Sequence, residues 1–237
     1  DRFYITTTTG NAAAVYEWLE EWAQTEWPDL RVQILSVTDQ WAVAAIAGPL
    51  SRKFLESVTE NCSFEETDFP HMSMREAKVA GIYARLFRIS FSGERAYEIA
   101  VPARWGMALW SDLILAGEGY GLTPYGTEAM HILRAEKGYI IVGQETDGSV
   151  SPLDLGLSGL VDSNKNDFIG KVGLELPDMK RPDRLQLVGL LPEDPNSVIP
   201  EGAQLVANPD HSSHKAHSPA IGYVTSSYFS PSLNRSF

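Results

Sequence analysis

The sequence predicts an α+β protein, and two features of the residue pattern support this class. Strand and helix signals follow one another as strand, helix, strand, strand and helix over residues 2–58, which is the order of a ferredoxin-like unit. From Arg184 onward, short apolar segments are separated by Pro, Gly and Asn, as in a small barrel or meander. We therefore expect a ferredoxin-like unit, a second α/β unit and a small C-terminal β-barrel.

Residue types and helix-boundary signals locate the first elements. Residues 2–8 are rich in β-branched and aromatic side chains, which predicts a strand. Asn11 can cap a helix that runs to about Glu26 and ends before Pro28. The next elements are predicted as strands at 31–37 and 40–47 and a helix at 49–58. The apolar stripe of the first helix is expected to lie in the core and consists of Val15, Trp18, Leu19 and Trp22.

The remaining elements follow from the same signals. Residues 80–93 alternate well enough for two short strands, residues 97–101 give another, and a helix is expected at 103–116. The segment KNDFIGK reads as a loop leading into a short helix, and LQLVGLL, AQLVA and IGYVTSSYFS as short apolar strands. Because the pattern changes near Pro182 to short apolar segments separated by Pro, Gly and Asn, we expect a core domain at 1–182 and a barrel-like domain at 183–237.

One charge stands out in the helix predicted between Thr123 and Gly138. Thr123 can cap this helix, Pro124 suits its first position, and Gly138 can adopt the left-handed conformation that ends it. Glu136 falls on the apolar stripe of Ala129, Ile132 and Leu133. A buried carboxylate needs a partner, so a cation, N–H groups of the protein or a ligand would have to satisfy it. The alternative is a frayed helix end at which Glu136 reaches water.

Composition and charge exclude several classes of protein. The chain is 43% hydrophobic and 21% charged, which is typical of a soluble globular protein. No apolar run approaches the roughly 18 residues of a membrane helix, and the N-terminus does not resemble a signal peptide, so we expect a cytoplasmic protein. A net charge of −12 argues against nucleic-acid binding. Cys62 is the only cysteine, which excludes an internal disulfide, and its acidic neighbours disfavour a reactive thiolate.

Two motif-like segments are set aside. GEGYG, at residues 117–121, follows a helix, whereas a dinucleotide-binding loop must follow a strand. The segment 208–219 holds His211, His214 and His217, but its Pro and Ser residues indicate a loop, so no metal site is expected. An inward carboxylate in a protein rich in Tyr and Trp would instead suit a flat ligand with N–H donors on one edge, such as a pterin.

Four separated blocks of sequence resemble the aminomethyltransferase (glycine cleavage T protein) family. In order, these are SGERAYEIAVP, GLTPYGTEAMHILRAEKGYIIVGQETDGSVSPLDLGL, KNDFIGK and IGYVTSSYFSPSLNRS. Within this family, DRFYITTTTG, WLEEWAQTEWPDL, SVTDQWAVAAIAGP and GYVTSSYFSPSLNRS are similar to the C-terminal folate-binding region of sarcosine oxidase α subunits. The resemblance implies the aminomethyltransferase folate-binding fold, here truncated at both ends and with an incomplete barrel domain.

The resemblance also implies a set of folate-binding residues. Glu136 corresponds to the family carboxylate that hydrogen-bonds the pterin edge of tetrahydrofolate. Tyr4, Thr6 and Thr8 would lie on a strand that lines the folate, although Thr8 stands where the family usually has Asn. Phe91 occupies an aromatic position before a Ser-Gly-Glu turn, where Tyr is common. The presumed catalytic Asp of the family would lie upstream of Asp1, so no catalytic residue is assigned.

The function implied by the resemblance is capture of a one-carbon unit by tetrahydrofolate. A flavin elsewhere in the enzyme would oxidise sarcosine, and FAD, FMN and NAD are expected only in other parts of it. Other subunits of a hetero-oligomeric oxidase are the expected partners, with no nucleic acid and no membrane, and this chain alone is expected to be inactive. Two alternatives are a free-standing T-protein-like aminomethyltransferase and a non-catalytic assembly module with a vestigial folate pocket.

Overall fold

The computed structural model describes residues 2–207 and 219–237. The chain divides into two compact units, Asp1–Pro124 and Tyr125–Phe237. The α+β class is confirmed, and the main sheet is antiparallel. The expected boundary near Pro182 stays a prediction.

The first unit is built on a five-stranded antiparallel sheet in the order β1-β5-β4-β3-β2. The turn between β3 and β4 consists of Ala80 and Gly81, which both have positive φ, as a tight two-residue hairpin requires. Three α-helices accompany the sheet among the described residues of this unit. The bounds are β1 Trp41–Ala47, β2 Thr59–Glu60, β3 Met74–Val79, β4 Ile82–Phe87, β5 Ala96–Pro102, α1 Ala12–Thr25, α2 Ser51–Val58 and α3 Gly106–Gly117.

Two of these helices cover one face of the sheet. Successive side chains of a strand point to opposite faces, so Tyr97, Ile99 and Val101 of β5 share a face. They form one buried cluster with apolar residues of α2 and α3. The helix residues in this cluster are Phe54, Leu55, Leu109 and Leu113. The other face of the sheet therefore carries Glu98 and its cross-strand neighbours.

Several sequence predictions for this unit are wrong. Residues 2–8 and 31–37 form no strand, since strand-forming residues need a neighbouring strand to complete a ladder and these segments find none among the described residues. Helix α1 has the expected bounds, but none of its residues is buried, and Trp18 is 43% exposed. Its Trp rings instead pack on one another, because Trp22 contacts both Trp18 and Trp27.

Among its described residues, the second unit contains two α-helices and two ribbons of paired strands. These are α4 Thr127–Glu136, α5 Lys171–Leu174, the pair β6 Gln204–Val206 and β7 Ala220–Tyr223, and the pair β8 Phe229–Ser230 and β9 Arg235–Ser236. The structure confirms the short helix predicted after KNDFIGK. It also confirms the strands predicted in AQLVA and IGYVTSSYFS. The strand expected in LQLVGLL is not formed.

Helix α4 ends where the sequence predicts and begins later. Gly138 has a φ of +73°, and the N–H groups of Gly138 and Tyr139 donate to the carbonyls of Ala135 and Arg134, which is the Schellman arrangement. At the start, the helix begins at Thr127 with Gly126 before it, so the prediction that Thr123 caps it and Pro124 opens it is wrong. These hydrogen bonds stabilise the last turn of α4, which carries both Arg134 and Glu136.

Candidate functional site

The face of the sheet opposite the helices carries aromatic rings around one carboxylate. Glu98 lies on the interior strand β5, directly opposite Phe87 of β4 and Ala45 of β1. Trp41 lies on the same face, opposite Pro102. We call this surface the Glu98 face. At its centre, Ala45 is exposed beside the carboxylate.

Tyr4 lies over the Glu98 face. Its ring stacks on Phe87 with a centroid distance of 5.7 Å and an interplanar angle of 20°, and it meets Trp41 edge-on at 6.5 Å. The guanidinium of Arg85 lies 4.2 Å from the centre of the Trp41 ring and 5.3 Å from that of Tyr4. Tyr4 therefore belongs to an aromatic surface, although its backbone does not form the predicted strand.

Glu98 has unused hydrogen-bonding capacity. It is half-buried, and no hydrogen bond or ion pair reaches it from the rest of the described chain. Burial raises the pKa of the Glu98 carboxyl above its ordinary value of 4.5. The cation on this face, Arg85, pairs with Glu76 at 3.5 Å and stacks on Trp41. A ligand that donates N–H groups would satisfy this carboxylate.

The Glu98 face ends in a surface depression of about 430 Å³. It is lined by Gln40, Trp41, Pro102, Ala103 and Arg104. Pro102 is four residues beyond Glu98 on β5, which corresponds to about 13 Å along a strand. The depression therefore extends the aromatic surface toward a cation, Arg104.

In the second unit, Glu136 is half-buried and accepts a hydrogen bond from the hydroxyl of Ser230. Ser230 is itself fully buried, and its oxygen accepts the N–H of Leu233 at 2.9 Å. No cation pairs with Glu136 within the described ranges. The carboxylate keeps one oxygen and further lone pairs for another donor. Because the side chain is only half-buried, its binding role stays a prediction.

The buried charge of helix α4 is Arg134, which the sequence analysis missed. Its guanidinium pairs with the carboxylate of Glu145 at 3.0 Å, and both side chains are almost fully buried. Arg134 also donates to the Tyr139 carbonyl at 3.0 Å, to Ser226 Oγ at 2.7 Å and to the Tyr228 hydroxyl at 3.3 Å.

Glu145 completes this buried cluster. Burial alone would raise its pKa, but hydrogen bonds from Ser226 and from the Ile141 N–H, with the pairing to Arg134, lower the pKa below its ordinary value. Within this cluster, the Nε of Arg134 has no hydrogen-bond partner among the described residues. The pair is thus nearly satisfied within the protein and has little capacity left for a ligand.

The other residues implied by the resemblance lie at exposed positions. Thr6 and Thr8 lie on the irregular N-terminal segment, where the Thr8 carbonyl accepts the N–H of Asn11 at 3.2 Å. Phe91 follows β4 and is 38% exposed. In the first unit, the structure brings together Tyr4 and the Glu98 face, while the roles of Thr6, Thr8 and Phe91 stay predictions.

Both missed residues had a signal in the sequence. Glu98 is the one charge in the apolar strand AYEIAVP, where a central position would bury it. Arg134 lies four residues after Met130 on α4, so a small rotation of the predicted stripe would have buried it instead of Glu136.

The remaining candidate sites are few. Burial raises the pKa of the Cys62 thiol, with Arg75 acting in the opposite direction. Across residues 2–207 and 219–237, no group of three or more His, Cys, Asp or Glu side chains could hold a metal ion. His211, His214 and His217 lie outside the described residues. None of the described helices combines the length and apolarity needed to cross a membrane.

Comparison with known proteins decides the family. Residues 1–165 match the model of the GCVT N-terminal domain, and residues 186–237 match that of the glycine cleavage T-protein C-terminal barrel domain. The chain belongs to the glycine cleavage T-protein family. The predicted resemblance is therefore confirmed.

Relatives within the family include oxidases, dehydrogenases and transferases. The chain is 49% identical to sarcosine oxidase subunit alpha of Corynebacterium sp. (strain P-1), over 100% of this chain and 24% of that protein. It is 32% identical to human mitochondrial dimethylglycine dehydrogenase, over 99% of this chain and 26% of that protein. It is 30% identical to aminomethyltransferase of Thermoanaerobacter sp. (strain X514), over 99% of this chain and 59% of that protein. The chain thus resembles enzymes and spans about a quarter of the sarcosine oxidase subunit.

Proposed function

We propose that this chain binds a reduced folate and presents it to a one-carbon unit released by oxidation of an N-methyl amine such as sarcosine. The observation that carries the proposal is the Glu98 face, where a half-buried carboxylate that receives no donor from the described residues lies beside the stacked rings of Tyr4 and Phe87. A reduced pterin is flat and bears N–H donors at its edge, so it complements both features. The family membership supports the same ligand class.

Each element of the Glu98 face has a role in this proposal. Tyr4 and Phe87 cover the pterin ring, and Glu98 accepts an N–H donor from its edge. Arg104, at the depression beyond Pro102, would attract the carboxylates of the folate glutamate. The resemblance offers Glu136, in the second unit, as an alternative acceptor for an amidine-like pterin edge, and the variants described below distinguish the two carboxylates.

The chemistry belongs to the whole enzyme. When bound, tetrahydrofolate supplies two nitrogens that take up the one-carbon unit. Oxidation at the flavin would convert the N-methyl amine to an imine. Both bonds of its C=N group would break as two C–N bonds to the folate nitrogens form, and the two displaced N–H protons would go to the amine nitrogen. With sarcosine as the amine, the products are methylenetetrahydrofolate and glycine. Proximity accelerates the transfer, and exclusion of water protects the reactive unit.

Oxidation itself requires a flavin outside this chain. We propose that FAD or FMN, and any NAD, are bound by other parts of the enzyme, and that other subunits are partners, as the name of the α-subunit relative suggests. On this basis the 237-residue chain by itself should bind folate weakly and catalyse little.

A second candidate function is transfer of an aminomethyl group from a lipoyl carrier. The 30% identical aminomethyltransferase favours it, since the match covers 59% of that protein. Activity assays of the intact protein separate the two functions. Sarcosine-dependent formation of methylenetetrahydrofolate supports the oxidase role, whereas dependence on an aminomethyl-lipoyl carrier supports the transferase role.

The test of folate binding is a titration of the intact protein with 5-formyltetrahydrofolate, followed by quenching of tryptophan fluorescence. Glu98→Gln should weaken binding about 10-fold or more through loss of a charge-assisted hydrogen bond, and Tyr4→Leu about 3-fold to 10-fold. Glu136→Gln should weaken binding by about 1–3 kcal/mol.

Matched controls are available for both carboxylates. Glu60→Gln, at an exposed position on the edge strand of the same sheet, and Glu128→Gln, at an exposed position of α4, should leave the dissociation constant unchanged. If the wild type does not bind, the non-catalytic module becomes the better account. Equal affinities of wild type and Glu98→Gln would remove Glu98 from the site.

A further inference from the structure

The last turn of α4 is joined to the segment 226–230 by three hydroxyl groups. Arg134 donates to Ser226 and to the hydroxyl of Tyr228, and Ser230 donates to Glu136. These hydroxyls belong to every second residue of the segment. The intervening Ser227 faces elsewhere, because its hydroxyl accepts the Ile199 N–H at 3.2 Å and donates to the Phe237 carbonyl at 3.0 Å. One side of the segment is thus dedicated to α4.

The two charged residues of this turn, Arg134 and Glu136, make different contacts with the segment. Arg134 is fully buried and is paired with Glu145, which also accepts the hydroxyl of Ser226. The pair therefore fixes the start of the segment against the helix. Glu136 receives one hydroxyl donor from the end of the segment and has no cation on it among the residues described.

We propose that Ser230 is a positioning residue that orients the Glu136 carboxylate for a ligand, with the Arg134–Glu145 pair holding the segment in register. This rests on the proposed folate-binding function. Ser230 has the geometry for it: the oxygen is fixed by the Leu233 N–H, and its proton is directed to one oxygen of Glu136. The second carboxylate oxygen is left for an N–H donor of the pterin edge. Ser230 thereby selects which oxygen of Glu136 meets the ligand.

The test compares three serine variants in the intact protein. Ser230→Ala should weaken 5-formyltetrahydrofolate binding about 5-fold to 10-fold, and Ser230→Thr, which keeps the hydroxyl, should restore most of the loss. Ser227→Ala is the matched control, since Ser227 is a similarly buried hydroxyl of the same segment that does not contact Glu136. It should lower thermal stability without changing affinity.

A double-mutant cycle separates positioning from general destabilisation. In the Glu136→Gln background, Ser230→Ala should cost no more than about 2-fold in affinity, because the carboxylate it orients is gone. Full additivity of the two changes would overturn the proposal. So would equal losses of affinity in Ser230→Ala and Ser227→Ala.

A measurement without ligand distinguishes failure of this proposal from failure of folate binding. The carboxyl ¹³C resonance of Glu136 in the free protein, assigned with Glu136→Gln, should shift in Ser230→Ala and stay in place in Ser227→Ala. If this resonance shifts in Ser230→Ala but the wild type binds no folate, the proposed folate-binding function is rejected. The inference that Ser230 orients the Glu136 carboxylate is then retained. An unmoved resonance in Ser230→Ala would reject the positioning role.

Discussion

The two units bury different kinds of residue. In the first, the buried set is mainly apolar, with Phe54, Leu86 and Ile99 among fourteen buried hydrophobic residues. In the described part of the second, every buried residue is polar or charged: Arg134, Glu145, Ser151, Asp154, Ser227, Ser230 and Ser236. The first unit is therefore stabilised mainly by burial of apolar surface, and the second by directional contacts that depend on ionisation.

The same contrast explains how their carboxylates differ. Glu145 and Asp154 are nearly fully buried, and each is paired with an arginine, at 3.0 Å to Arg134 and 2.6 Å to Arg184. Glu98 is half-buried in an apolar setting and has no donor within the described chain. A carboxylate that the protein satisfies holds structure together, whereas one that it leaves unsatisfied can bind a ligand. Four changes test this contrast.

The largest effect is expected from Arg134→Met. The substitution leaves Glu145 buried without its cation, which should destabilise the second unit by about 3–5 kcal/mol. Hydrogen exchange followed by mass spectrometry would localise the loss to residues 125–237. Arg134→Met combined with Glu145→Leu should recover most of the stability. An unchanged exchange pattern in the single variant would show that the pair is not structural.

Leu86→Ala tests the apolar core of the first unit. Leu86 is fully buried, so its truncation should cost about 2–5 kcal/mol. All six tryptophans of the chain lie between residues 18 and 110, so tryptophan fluorescence in urea reports on this unit alone. The control Val43→Ala lies on the same sheet at a position 56% exposed and should cost about 0.5 kcal/mol or less. Equal losses from both would contradict the assigned core.

Acid should weaken the second unit before the first. Hydrogen bonds from Arg184 hold the pKa of Asp154 well below its ordinary value of 3.8, and the pKa of Glu145 lies below 4.5. Groups with a depressed folded-state pKa stabilise the protein above their ordinary pKa and lose that contribution as pH falls through the folded-state value. Hydrogen exchange between pH 5 and 2.5, corrected for its intrinsic pH dependence, should show faster opening in the second unit. Faster opening of the first unit would reverse the contrast.

The smallest effect on stability is expected from Glu98→Gln, and its sign is opposite. Because burial raises the pKa of Glu98 above 4.5, ionisation opposes folding, and this cost grows as pH rises through the raised value. Removing the charge should raise the melting temperature at pH 7 by about 1–3 °C while weakening folate binding. A lower melting temperature at pH 7 would mean that the ionised carboxylate has a stabilising partner.

The sequence predicted the elements that have local signals. Gly138 ends α4 because a left-handed residue is needed there, and the strands β1, β4 and β5 lie near their predicted positions because their alternation matches a half-buried sheet. Residues 2–8 and 31–37 have the same propensity but no partner strand, and pairing is a non-local property that composition does not reveal.

The candidate site was predicted only in part. Tyr4 was expected to line the ligand, and its ring does lie on the Glu98 face, although the strand meant to carry it is absent. Glu136 was expected to point inward, but the helix rotation buries Arg134 instead and leaves Glu136 half-buried. Glu98 was missed because its lack of a hydrogen-bond donor depends on which residues of the neighbouring strands lie opposite it. The strand register determines those residues, and the sequence alone does not reveal it.

The most direct test is a crystal structure of the intact protein with 5-formyltetrahydrofolate bound. We predict that the pterin ring lies against the rings of Tyr4 and Phe87 and donates an N–H to the carboxylate of Glu98 at about 2.7–2.9 Å. A pterin bound elsewhere, with Glu98 still lacking a donor, would contradict the account.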